Sequence, residues 1–115
     1  MNRRAIGNQG EDAACAHLKK QGWKVLDRNV VRRGGEIDII AILEGVLVFC
    51  EVKRRSGKLN GAPSEAVTPA KQRKIIRAAE IYLARHPAEM LMRFDVIEIT
   101  PGRFNHIPAA FDASR

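Results

Sequence analysis

Two β-prone runs, Glu36 to Leu43 and Val46 to Lys53, are separated by nothing but Glu44-Gly45. A two-residue connection of this kind closes an antiparallel hairpin, because its residues take the positive-φ conformations that match the twist of the flanking strands. Such a turn pairs Leu43 with Val46. Counting outward, Ile42 faces Leu47, Ile40 faces Phe49, Asp38 faces Glu51 and Glu36 faces Lys53. Side chains alternate along a strand, so Asp38, Glu51 and Lys53 are expected on one face. A loop with an odd residue count would slip the register by one and separate the two acids.

Two carboxylates set opposite each other among Ile40, Ile42, Leu47 and Phe49 repel, so they require compensation. A divalent cation such as Mg2+ or Mn2+ is one compensation, since hard cations take one or two carboxylates and complete their shell with water. Lys53 points at the same place, where an ammonium offsets negative charge or orients a water. The same residues would also serve as a cross-strand charge ladder, Glu51 and Lys53 pairing with Asp38 and Glu36.

Around the hairpin the chain reads α-β-β-β-α-β, with a weaker extra strand near Phe104 to Ile107. Arg3 to Gln21 is predicted as a helix stopped by Gly22, with Ile6, Ala13, Ala14, Cys15 and Leu18 as its apolar positions. Trp23 to Val31 is a strand, and Arg32-Arg33-Gly34-Gly35 a basic turn. Arg54 to Pro63 is a polar loop. Thr68-Pro69 is an N-cap with proline in the first turn, opening a helix that runs to about Arg85 and ends at His86-Pro87. Met92 to Ile99 is the fourth strand. Glu11 falls on the apolar face of the first helix, where a carboxylate is rarely unpaired. It would complete a metal site or accept from Lys53, or else lie in the first turn and favour the helix dipole. Gly7 and Gly10 permit close approach of other backbone or of nucleic acid, or mark a frayed helix start.

The 115 residues are 45% hydrophobic and 29% charged, which suits one domain over residues 1–115 with a core of its own. The apolar run Val46 to Cys50 has five residues, far from the roughly 18 of a membrane span. With no signal-peptide pattern, a cytoplasmic setting is expected. Cys15 and Cys50 form no C-x-x-C pair and are expected in the core. No Walker-type loop or other sign of a small-molecule organic cofactor occurs. A net charge of +7, spread along the chain, favours polyanionic partners.

The stretches Gly7-Asn8-Gln9-Gly10-Glu11-Asp12-Ala13-Ala14, Gly35-Glu36-Ile37-Asp38-Ile39-Ile40, Phe49-Cys50-Glu51-Val52-Lys53-Arg54-Arg55, Ala70-Lys71-Gln72 and Arg93-Phe94-Asp95-Val96 resemble the YraN-like family. By resemblance that family belongs to the PD-(D/E)xK nuclease superfamily, with the archaeal Holliday-junction resolvases. The resemblance covers residues 7 to 96. It departs at Glu36-Ile37-Asp38, where the superfamily name suggests Pro-Asp. It implies an α/β, restriction-endonuclease-like core, with a central mixed sheet flanked by helices. It also implies a metal-dependent endonuclease hydrolysing phosphodiester bonds in DNA, with branched or damaged DNA as substrate. Asp38 and Glu51 would be the metal ligands, Lys53 the catalytic lysine, Glu11 the helix acid and Lys71 an accessory cation on the second helix.

Arg32, Arg33, Arg54, Arg55 and Lys58 flank the active strands and are expected to form a phosphate-contacting rim with Lys71, or a solvated set of loops. Lys74 and Arg77 could extend it. A homodimer would suit a junction with two-fold symmetry. His17, His86 and His106 lack metal-ligand spacing, and Trp23 and Tyr82 are too isolated to form a stacking platform. Asp95 is read as a structural carboxylate paired with an arginine. The competing readings are a nucleic-acid-binding module that keeps the nuclease fold without turnover, and a protein–protein scaffold whose charge serves solubility.

Overall fold

The computed structural model describes residues 3–54 and 67–113, with side chains from residue 10 onward. Helix α1 spans Arg3–Lys20, strands β1, β2 and β3 span Lys24–Arg32, Gly35–Leu43 and Val46–Arg54, helix α2 spans Pro69–Arg85, and strands β4 and β5 span Leu91–Thr100 and Arg103–Phe111. The strands form a single sheet in the order β1-β2-β3-β4-β5. Strands β3 and β4 run parallel, and the other three pairs are antiparallel. The sheet is therefore mixed, as expected for a restriction-endonuclease-like core, and the weak fifth strand is fully formed.

Local chemistry accounts for the boundaries. Gly22, at φ 89°, ends α1, and Glu44 and Gly45, at φ 49° and 79°, close the β2–β3 hairpin. Both central turn residues have positive φ, as a type I′ turn requires. The Thr68 hydroxyl accepts from the Lys71 N–H at 3.2 Å, and Pro69 follows in the first turn of α2. His86 ends that helix, its N–H donating to the Tyr82 carbonyl.

Each face of the sheet carries its own core. On one, Ala14, Cys15 and Leu18 of α1 pack with Trp23, Ile39, Ala41, Val48, Cys50 and Ile97. On the other, Ile75, Ala78, Ala79 and Tyr82 of α2 pack with Val30, Ile37, Ile40, Leu47, Phe49, Phe94 and Val96. Strand β3 is thus buried on both sides, and this is why Val46 to Cys50 is uninterruptedly apolar. Cys15 and Cys50 lie in the core as expected. Ala13, placed on the apolar face of α1 by its spacing, is exposed. Among the described residues, no helix is long and apolar enough to cross a membrane.

Candidate active site

The hairpin follows the expected register from Leu43↔Val46 down to Ile39↔Cys50 and stops there. Asp38 and Glu51 are not ladder partners, nor are Glu36 and Lys53. Beyond Cys50 the strands part, and the Val52 N–H donates to Asp38 Oδ2 at 2.7 Å in place of a backbone pair. The parting coincides with a break in alternation. Ile37 and Ile39 flank Asp38, yet Ile37 packs under α2 and Ile39 under α1. Regular pleating would set both on one face. Asp38 lies where β2 crosses from one core to the other.

That position lets acids from both sides reach it. Glu51 Oε1 is 3.4 Å from Lys53 Nζ and 2.7 Å from Lys71 Nζ. Burial first, and then the Glu51 carboxylate, pushes Asp38 up to about 8, against the Val52 N–H that favours its charge. Glu11 approaches from α1, where it is buried with 8% exposure. It stands in the ninth position of the helix, so the first-turn dipole reading of this residue is corrected. Burial raises the Glu11 pKa although Asn29 and Arg28 pull it down. Arg28 lies 4.0 Å from Glu11 Oε2 and also pairs with Asp12. Burial and then the neighbouring Lys71 hold Lys53 below the ordinary ammonium value. Burial pulls Lys71 down, but its bonds to Glu51 and Lys53 and the attraction of the Glu51 and Asp38 carboxylates together raise it. The charge-ladder reading is not what forms: Lys53 approaches Glu51 on its own strand.

The donor set fits a hard divalent cation. Asp38 and Glu51 offer crowded oxygens whose mutual repulsion a cation would relieve, and Glu11 Oε2 is buried with no hydrogen-bond partner. Among the described residues no three His, Cys, Asp or Glu side chains form a ready metal cage. A cation held here would thus take two protein carboxylates, with water and substrate oxygens for the remainder.

The expected rim is brought together only in part. Lys71 joins the acids. Arg54 lies against Gly10, where an added Cβ would come within 2.7 Å of Arg54 Cδ, so the glycine makes room for that side chain beside Glu11. Arg33 is exposed on the β1–β2 turn. Arg32 turns away from the carboxylates: it donates to the Val31 carbonyl, and its guanidinium carbon lies 6.0 Å from the Tyr82 ring centroid. Arg55 and Lys58 lie outside the described residues. Asp95 is fully buried, held by Arg93, by His106 Nε2 at 2.7 Å and by the Ala109 N–H. It is the structural carboxylate expected, with His106 as a partner the sequence reading missed. Asn29 was also missed. An asparagine inside a strand otherwise rich in valine was the available signal.

The family model described as "Uncharacterised protein family UPF0102" matches residues 10–99. The chain belongs to the UPF0102 family. A UPF0102 protein of Symbiobacterium thermophilum is 52% identical over 103 residues, covering 89% of this chain and 86% of that protein. One from Syntrophotalea carbinolica is 46% identical over 115 residues, covering 96% and 94%. One from Myxococcus xanthus is 45% identical over 117 residues, covering 96% and 92%. The UPF0102 match takes in Glu11, Asp38, Glu51, Lys53 and Lys71 together, and bears out the YraN-like resemblance.

Proposed function

We propose that this UPF0102 member is a metal-dependent endonuclease acting on DNA, with Asp38 and Glu51 as the cation ligands. The observation that carries the reading is the convergence of Asp38 and Glu51 with two ammonium groups, Lys53 and Lys71, where the hairpin opens. A divalent cation bound there supplies charge neutralisation at a phosphate and makes a bound water more acidic. Lys53, half-buried with a depressed pKa, is suited to orient that water or hold a phosphate oxygen. Lys71 neutralises Glu51 in the substrate-free site and can turn to a phosphate oxygen on binding. Glu11, itself held towards the neutral form, can relay a proton with Asp38. Arg33, exposed on the β1–β2 turn, and Arg54, against Gly10, are the residues this reading assigns to flanking phosphates. Preference for branched or damaged DNA rests on the resemblance to resolvases.

The test is nicking of supercoiled plasmid and of a four-way junction with Mg2+ or Mn2+, comparing wild type with Asp38→Ala and Glu51→Ala. Nicking by wild type alone is the expected result. Equal inertness of all three proteins, or nicking that persists in the variants, overturns the reading. Lys71 already compensates Glu51 at 2.7 Å, and this contact favours a second reading, a DNA-binding module without turnover. Tight, salt-sensitive binding by an inert wild type would select it.

A further inference from the structure

Strand β1 pairs with β2 at Arg28↔Ile39 and again at Val30↔Ile37, skipping Asn29 and Asp38 between them. Asn29 has φ 51°, the left-handed region, which among residues with side chains Asn enters at least cost. The two strands change faces at this level together. Arg28 reaches Asp12 and Glu11 on α1, whereas Val30, two residues on, packs in the core under α2. Ile39 and Ile37 divide in the same way across Asp38. A single left-handed residue in β1 therefore matches the crossing of β2, and it sits directly opposite the most crowded acid of the site. The side chain freed from the ladder stands against Glu11, a carboxylate with one buried oxygen lacking any hydrogen-bond partner.

We infer that Asn29 is a positioning residue of this site: its left-handed backbone carries β1 across the sheet beside Asp38, and its amide holds the Glu11 carboxylate towards Asp38. The inference rests on the nuclease reading for its catalytic consequence, but not for its structural one. The backbone role and the amide role separate by substitution. Asn29→Gly keeps the left-handed conformation and removes the amide, Asn29→Ala opposes both, and Asn29→Asp keeps the shape but sets a carboxylate against Glu11.

The experiment measures thermal melting, the 13C resonance of the Glu11 carboxyl at fixed pH in glutamate-labelled protein, and single-turnover nicking at saturating DNA with Mn2+. Asn29→Gly is expected to melt close to wild type and above Asn29→Ala. It should displace the Glu11 resonance and lower the nicking rate about tenfold, the lower end of losses when a supporting hydrogen-bond partner is removed, with DNA affinity unchanged. Asn29→Asp should displace the resonance as well, which keeps the test available if the glycine variant folds poorly. A Glu11 resonance unmoved in both variants overturns the inference. If wild type does not nick at all, the nuclease reading falls, and the resonance and melting order still decide the role of Asn29.

Discussion

Asp38 pays for its position with an unfavourable ionisation. Its folded pKa of about 8 stands above the ordinary 3.8, so the unfolded chain releases this proton near pH 4 while the folded chain keeps it until about pH 8. Stability is full below pH 4, falls across that window and levels off above it. Asp38→Asn removes the loss and can still accept from the Val52 N–H. Its melting temperature should match wild type near pH 4 and exceed it at pH 8.5 in metal-free buffer; an equal gap at both values would show that Asp38 is not held neutral. Gly35 makes a second prediction at this scale. A Cβ there would lie 2.2 Å from the Lys74 carbonyl oxygen, which is backbone and cannot turn aside. Gly35→Ala must push α2 off the sheet, at about 1–3 kcal/mol by urea unfolding, the usual cost of overpacking. These residues also mark how far the sequence could be read. The type I′ turn at Glu44-Gly45 made the register countable as far as Ile39 and Cys50. The crossing at Asp38 was not legible, because apolar alternation says nothing of a face change carried by a polar residue. The acids met anyway, for a reason other than ladder pairing.

At the scale of elements, α2 supplies one of the two cations in the charge balance. Its cap, Thr68, and its approach to Gly35 bring Lys71 onto Glu51. Lys71→Gln removes a cation that competes for the same oxygens. Because the Lys71 side chain is 40% exposed, the gain is discounted to about 1 kcal/mol. Mn2+ affinity by titration calorimetry should therefore rise several-fold while nicking falls; weaker Mn2+ binding would mean that Lys71 does not compete with a cation at Glu51. Helix α1 was legible from its start at Arg3 to its stop at Gly22, and that start by itself decides the meaning of Glu11. With the helix beginning at Arg3, Glu11 is too deep for a dipole role and sits against the sheet. The basic rim was the least legible part. Charge runs do not report direction, and Arg32 prefers the Tyr82 face to the acids.

For the whole molecule, the net charge of +7 means that the proposed binding to DNA should depend on salt. Each phosphate contact adds about 0.9 to the slope of log affinity against log salt. Arg33→Ala and Arg54→Ala should each lower that slope by about one; an unchanged slope in both would remove these arginines from the interface. The sheet edge opposite the acids is tied by Asp95, where burial raises the carboxyl but His106, Arg93 and the Ala109 N–H together bring it below its ordinary value. That stabilisation is present above pH 4 and is lost as pH falls through the depressed folded value. Asp95→Asn should accordingly cost more stability at pH 7 than at pH 3. The candidate site draws its groups from α1, β2, β3 and α2, and those elements belong to two separate cores on opposite sides of one sheet. Neither half can loosen without scattering the ensemble, so any activity it has should vanish at the same temperature as the native signal, with no half-melted form left competent.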